Sequence, residues 1–304
     1  MREIVVGTRN SPLALAQTNI VLEAVKKHRA QSFTIKEMVT EGDRKLDVSL
    51  DRLAGRGIFN QELDEALIAK EIDVAVHSMK DLPIKGPEAL VTAAIPVRED
   101  PREALISSKG LSLRELPEGA VVGTSSLRRT AQLKALRPDI QTKKIRGPID
   151  QRIAQLKRGD YDAIILAVAG LNRLGLEHYI TEYLPTESFL PAASQGALII
   201  QCRKDDDYTR EVFKTIHDPA TSLATEAERL LVARLDPEEK APLACLAEVE
   251  GSVVTLTGMV LNEEGTKVIK DEVTGNSAEE VAEALAERLL AQGAGEMIER
   301  YASR

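Results

Sequence analysis

The chain is constrained most by a motif compressed into AVVGTSSLRRT, Ala120 to Thr130, which reads as strand, tight turn and helix start. Val121 and Val122 suit a buried strand, Gly123 permits the turn, and Thr124, Ser125 or Ser126 can cap a helix running through LRRTAQLKAL. Such a junction presents unpaired backbone N–H groups, and Arg128 and Arg129 add forked cationic donors beside them. Its natural guest is a carboxylate or a phosphate. An ordinary capped helix with solvated arginines would read the same way, so other stretches must decide.

The form recurs without repeating the sequence. EIVVGTRNSPLALAQ is a strand, a turn holding Arg9, and a helix with Ser11 as cap and Pro12 in its first turn. DVAVHSMKDLP is an apolar strand over 73–76 followed by His77, Ser78, Lys80 and Asp81 before Pro83. Lys80 and Asp81 could serve a ligand or simply pair with each other. TKKIRGPIDQRIAQL places Arg146 at a strand end and Arg152 in the next helix, and DAIILAVAGLNRLGL sets Gly170 and Arg173 after another buried-looking strand. Ligands of open α/β sheets gather at the carboxyl ends of strands. These ends predict a guanidinium-rich cleft with one carboxylate.

Between FTIKEMV and the amphipathic IFNQELDEALIAKE lies GDRKLDVSLDRLAGRG, an aperiodic stretch containing Arg52 and Arg56. A long irregular segment of this kind predicts a lid. IPVREDPREA reads as a crossover into a second domain, and SFLPAASQGALIIQCR as a return segment and strand. From about His217 the pattern becomes one long helix, three strands near LAEVEG, VVTLTGMVL and KVIKDEV, and a helix from about Ser277. That order predicts a separate α+β domain.

A length of 304 residues suits two or three domains. From His217 onward 18 acidic residues face 8 basic ones within a total formal charge of -8, so the preceding part is slightly cationic and is where an anion would bind. An acidic chain with 3% aromatic residues and no Trp is a poor nucleic-acid binder. No apolar run reaches the roughly 18 residues of a membrane span, and MREIVVGTRN lacks an export core; a cytoplasmic location is expected. Cys202 and Cys245, both among apolar neighbours, exclude a disulfide scaffold, and no metal role is expected.

GTRNSPLALAQ, MVTEGD, VAVHSMKDLP, GTSSLRR, YDAIILAVAGL with RLGL, and LPAASQGA occur in this order. Together they make the chain resemble the hydroxymethylbilane synthase, or porphobilinogen deaminase, family from end to end. The resemblance implies an α/β fold with two periplasmic-binding-protein-like α/β domains, expected at 1–96 with 197–216 and at 97–196, plus a small C-terminal α+β domain with a three-stranded sheet at 217–304. It implies condensation of porphobilinogen into a linear tetrapyrrole by a monomer, on a dipyrromethane cofactor bound through a cysteine thioether. Asp81 then takes the catalytic position, stabilising positive charge as ammonia leaves. Arg9, Arg128, Arg129, Arg146, Arg152 and Arg173 bind porphobilinogen and polypyrrole carboxylates, assisted by Ser11, Arg52, Arg56, Ser78, Lys80, Thr124, Ser125, Ser126, Gly170 and Gln195.

The chain also departs from the family pattern. Arg52 and Arg56 stand where the family has lysines, Pro148 where it has asparagine, and Ser194 where it has glycine. Where the family reads GGCQVP this chain reads PEEKAP from Pro237 to Pro242, so Glu239 occupies the cofactor-attachment position. Cys245 lies six residues on, as far as roughly 20 Å in an extended strand, and does not inherit the role. A carboxylate cannot make the stable carbon–sulfur bond, so the expectation is a primer held non-covalently or an impaired enzyme. The alternative is a non-catalytic paralogue that binds pyrrole carboxylates.

Overall fold

The computed structural model describes residues 2–40, 42 and 60–302. The Arg52 and Arg56 assignments, and the lid over residues 43–57, lie outside the described residues.

The first sheet holds β1 (Ile4–Arg9), β2 (Phe33–Met38), β3 (Val74–Ser78), β4 (Leu90–Ala94) and β10 (Leu198–Arg203) in the order β2-β1-β3-β10-β4. β1 runs parallel to β2 and β3, whereas β10 is antiparallel to both its neighbours. The second sheet is built from β5 (Glu103–Ser107), β6 (Val121–Gly123), β7 (Gln141–Lys143), β8 (Ala163–Ala167) and β9 (Glu182–Leu184) in the order β7-β6-β8-β5-β9. It repeats the polarity, with β5 as the antiparallel strand. Each sheet therefore carries parallel strands whose carboxyl ends open on one edge. This is the mixed α/β architecture of two similar lobes.

Helices cover both faces, as sheets with apolar residues on both sides require. In the first lobe α1 (Pro12–His28) packs Val21, Leu22 and Val25 on one face, and α2 (Gln61–Ile68) packs Leu63 and Leu67 on the other. Ser11 caps α1 by accepting from the Ala14 N–H at 3.3 Å. The second lobe has α3 (Leu127–Leu136), α4 (Ile149–Lys157) and the short α5 (Val168–Arg173). The helix α6 (Asp207–Phe213) returns to the first lobe, burying Val212 and Phe213 in its core.

Two strands of chain near Ile95–Arg102 and Leu190–Ala197 join the lobes side by side. The Glu99 N–H donates to the Gly196 carbonyl at 3.2 Å. Gly196 has φ +89, and a Cβ there would lie 2.3 Å from the Glu99 oxygen. Only glycine lets the crossings approach so closely.

The third unit is an antiparallel sheet of β11 (Leu243–Glu250), β12 (Val253–Leu261) and β13 (Val268–Gly275), backed by α7 (Pro219–Leu235), α8 (Ala278–Ala291) and α9 (Ala294–Ala302). Its core joins Leu231 and Leu235 of α7 to Leu285 and Leu289 of α8 under the sheet. A second seam, Leu246, Met259 and Leu261 against Ala131 and Leu190, docks it on α3. The unit thus supports the helix that begins with the paired arginines.

Two sequence expectations need correction. β3 continues through His77 and Ser78 because Leu198 and Ile199 of β10 supply ladder partners, and Met79–Asp81 then form one 3-10 turn. Gly170 and Arg173 lie inside α5 rather than in a turn after β8. A Cβ on Gly170 would stand 2.9 Å from Ile149 Cδ1, so close packing of α5 on α4 explains the glycine.

Candidate active site

The β6–α3 junction forms strand, turn and capped helix, and of the three candidate hydroxyls Ser126 is the cap of α3, accepting from the Arg129 N–H at 3.3 Å. Thr124 Oγ1 accepts from the Ser126 N–H, and Ser125 Oγ donates to the Ile145 carbonyl at 2.7 Å. These hydroxyls hold the turn. The arginines that follow do not extend freely into solvent. Both are buried and converge on Glu103, the first residue of β5, which has no exposed surface.

Arg128 donates to Glu103 Oε1 at 2.5 Å and to the Leu190 carbonyl at 2.8 Å. Arg129 reaches both Glu103 oxygens, at 3.1 and 2.7 Å, and the Ile165 carbonyl at 3.1 Å. Burial alone would raise the Glu103 pKa, but Arg129, Arg128 and Lys80 hold it down at about 2. Lys80 is pushed the other way, to about 8, by burial and by Arg129, with Asp81 and Glu103 opposing. Its ammonium donates to Gln195 Oε1 at 3.1 Å, while Gln195 Nε2 donates to the Pro101 carbonyl at 2.8 Å. Gln195 thereby ties Lys80 to the crossover. Lys80 turns to this amide rather than forming the surface ion pair with Asp81.

Arg146 and Arg152 flank the same cluster from the β7–α4 side. Arg152 Nε donates to the Gly147 carbonyl at 2.7 Å, and its pKa falls to about 10 through burial and the neighbouring Arg129 and Arg146, partly offset by Asp81. Arg146 Nη1 is buried with no hydrogen-bond partner among the described residues. A buried guanidinium N–H without an acceptor is costly and marks a place for an incoming anion. Arg173 donates to the Gly196 carbonyl at 2.6 Å and its pKa falls to about 10 through burial, with Glu99 opposing. On the first lobe Arg9 ends β1, near enough to His77 to help burial lower the imidazole pKa to about 4. Ser78 Oγ accepts from Gln17 Nε2 at 2.8 Å.

Asp81 is exposed, at the end of the 3-10 turn and within electrostatic reach of Lys80, Arg152 and Glu239. Glu239 approaches from the third unit with φ 55, in the left-handed region. Burial raises its pKa, Arg229 and the Ile84 N–H counter that, and Asp236 and Asp81 add to it. Arg229 of α7 also donates to the Leu82 and Pro83 carbonyls at 3.2 and 2.7 Å. Position 239 is thus clasped beside the Asp81 turn. Cys245, by contrast, is wholly buried on β11 with its thiol 3.9 Å from the Glu228 carbonyl, and burial raises its pKa well above normal.

Sequence reading missed Glu103, Arg98, Glu228 and Arg229. Arg98 donates to both Glu228 oxygens, at 2.7 and 3.1 Å, and to the Gln195 carbonyl at 2.8 Å. Glu228 could have been found as the one acid on the stripe Ala224, Ala227, Leu231 and Leu235 of α7, and Glu103 as a charge opening the apolar EALIS. No group of His, Cys, Asp or Glu among the described residues could hold a metal, and no described helix is long and apolar enough to cross a membrane.

Two α/β lobes thus gather Lys80, Arg128, Arg129 and Arg152 near Glu103, with Asp81 within electrostatic reach. The description "Porphobilinogen deaminase, dipyromethane cofactor binding domain" matches residues 4–211, and "Porphobilinogen deaminase, C-terminal domain" matches residues 222–291. The chain is 48% identical over 302 residues to a porphobilinogen deaminase of Oceanobacillus iheyensis, spanning 99% of this chain and 98% of that one. It is 48% identical over 295 residues to that of Brevibacillus brevis, spanning 96% of each. Among solved structures, a nutrient binding protein from Burkholderia cenocepacia bound to methionine is similar at 16% identity and a TM-score of 0.43, over 78% of this chain and 98% of that one. The chain belongs to the porphobilinogen deaminase family. Nothing in these likenesses favours a non-catalytic paralogue.

The residues present fit the family's dipyrromethane in one respect and not in another. The unpartnered Arg146 Nη1 and the surplus of cations around Glu103 suit a pyrrole chain bearing carboxylates. The chain offers no accessible thiol for attachment, because both of its cysteines are buried.

Proposed function

We propose that this chain is a hydroxymethylbilane synthase-type transferase, joining porphobilinogen units head to tail with loss of ammonia, and that Glu239 impairs its turnover. The observation that carries this reading is the clustering of Lys80, Arg128, Arg129, Arg146 and Arg152 with Asp81 within their electrostatic reach. Each substrate unit brings carboxylates, and guanidinium groups bind these bidentately while staying charged. Arg9, Arg146, Arg152 and Arg173 take the carboxylates, Ser11, Ser78, Thr124, Ser125 and Ser126 shape the turns that aim them, Gly170 keeps α5 close, and Gln195 holds Lys80.

Asp81 supplies the fixed negative charge. As the carbon–nitrogen bond of one unit breaks, its electron pair leaves with ammonia and the pyrrole becomes electron-poor; the carboxylate stabilises that developing charge. The free α-carbon of the next unit then forms the new carbon–carbon bond and gives up its proton, which Asp81 is placed to accept. A bound dipyrromethane would supply the growing end for this step. Glu239 would bring a carboxylate toward the carboxylates of the pyrrole chain, and two unit charges at about 4 Å repel by roughly 1 kcal/mol in water and about 4 kcal/mol at an intermediate effective dielectric. This repulsion disfavours the polycarboxylate, and an ester to Glu239 would leave too readily to anchor a primer. We assign residues 1–96 with 197–216, 97–196 and 217–304 to three domains, and we expect a cytoplasmic monomer.

The test compares the unmodified protein with Glu239→Cys refolded in the presence of preformed linear tetrapyrrole. The variant should gain the mass of a dipyrromethane and turn over porphobilinogen steadily; the unmodified protein should do neither. Steady turnover by the unmodified protein with an adduct on Cys245 would overturn the assignment of the attachment position.

A further inference from the structure

Glu103 stands outside the residues expected to touch substrate, yet the two adjacent arginines of α3 are organised around it. One carboxylate with no exposed surface receives Arg128 at one oxygen and Arg129 at both, through contacts of 2.5, 3.1 and 2.7 Å. The remaining anchors are main-chain carbonyls, Leu190 for Arg128 and Ile165 for Arg129. A guanidinium has five N–H donors in a rigid plane, so fixing two or three of them fixes the direction of the rest. The charges do not cancel. Glu103 balances one of the two arginines, and Lys80 adds a further positive charge within its reach.

We propose that Glu103 is a positioning residue for substrate binding: it locks the planes of Arg128 and Arg129 before any ligand arrives and leaves the cluster with an excess of positive charge, which pyrrole carboxylates balance. The inference rests on the transferase reading above. It explains how two adjacent cations can be buried side by side, since a pair with no counter-charge would be strongly destabilising. It also explains a pre-set cleft, because donors held in place lose little freedom when the carboxylate binds.

Calorimetric titration with porphobilinogen between pH 6.5 and 9.5 tests it, using the whole chain, Glu103→Gln and Glu103→Asp. Wild-type affinity should fall as pH rises through about 8, where Lys80 loses its proton among Arg129, Asp81, Glu103 and Arg128. Glu103→Gln should bind about tenfold more weakly at neutral pH, and its midpoint should move to lower pH because a neighbouring negative charge has gone. Glu103→Asp, which keeps the charge, should restore most of the affinity and the wild-type midpoint. Glu103→Gln binding like wild type with an unmoved midpoint would overturn the proposal, as would Glu103→Asp behaving like Glu103→Gln.

Should Glu103→Gln fail to fold, the wild-type protein decides by arginine 15N NMR. The Arg129 Nε–H signal should be sharp and protected from exchange before porphobilinogen is added; a signal that is averaged until ligand is present would show that the guanidinium is not pre-set. Absence of porphobilinogen binding by the wild type, with that signal protected, would sink the transferase reading and leave the Glu103 lock standing.

Discussion

Glu103 and Glu228 are both glutamates with no exposed surface, each gripped by arginine, and they do opposite things. Glu228 meets one cation, Arg98, on both oxygens, and fills its other acceptor positions with the Ser194 N–H at 2.5 Å and the Ala247 N–H at 2.8 Å. Charge and hydrogen bonds close, and the pair pins the crossover to β11 and α7. Glu103 meets two arginines and lies near a lysine, so its charge does not close. A balanced buried pair is structural, whereas an unbalanced one keeps an affinity for whatever completes it.

The largest effect should come from breaking the balanced pair. Glu228→Ala leaves the Arg98 charge unpaired and its two Nη contacts, together with two main-chain N–H groups, without acceptors, and should lower stability by about 3–5 kcal/mol in urea denaturation. The folded fraction should still bind porphobilinogen at the wild-type level. A matching loss of affinity in that fraction would mean that Glu228 belongs to the binding machinery, and the contrast with Glu103 would collapse.

A smaller effect of opposite kind is expected on the open side of the cleft. Arg146→Leu and Arg152→Leu should each weaken porphobilinogen binding by about 1.5–3 kcal/mol in calorimetry, the worth of a charge-assisted contact. Their stabilities should diverge: Arg146→Leu removes a buried donor that has no acceptor and should cost nothing, whereas Arg152→Leu loses the bond to the Gly147 carbonyl and should cost about 1 kcal/mol. Wild-type affinity in both variants would move the anion site elsewhere.

Local grammar made much of this legible in sequence. A hydroxyl cap among Thr124, Ser125 and Ser126, the Ser11 cap, the crossover near Glu99 and the three strands of the third unit follow from turn chemistry and periodicity, which act over a few residues. The direction of the arginines was not legible. Arg128 and Arg129 read as donors facing a ligand, but their orientation depends on Glu103, 25 residues from Arg128 in sequence and brought beside it by the β5–β8 and β6–β8 pairings. Glu228 was hidden for the same reason, its partners being residues 34 and 130 positions away. Long-range pairing of buried charges carries no local pattern beyond the odd acid in an apolar stretch.

The smallest predicted effect sharpens the account of the pinned site. Ser194 donates its N–H to Glu228 while holding φ 61, and its hydroxyl is buried without a partner among the described residues. A side chain at that φ costs about 1–2 kcal/mol, of which glycine's greater freedom when unfolded takes back about 0.5–1 kcal/mol. Ser194→Gly should therefore raise stability by about 1 kcal/mol in denaturant titration, keeping the N–H to Glu228 and leaving the Glu103 cluster untouched. If the variant is less stable, the hydroxyl contributes more than the backbone costs, and strain is not what residue 194 adds to the crossover. If it is more stable but binds porphobilinogen differently, then the crossover conformation set at Ser194 reaches Lys80 through the adjacent Gln195, and the balanced and unbalanced glutamates are mechanically one system.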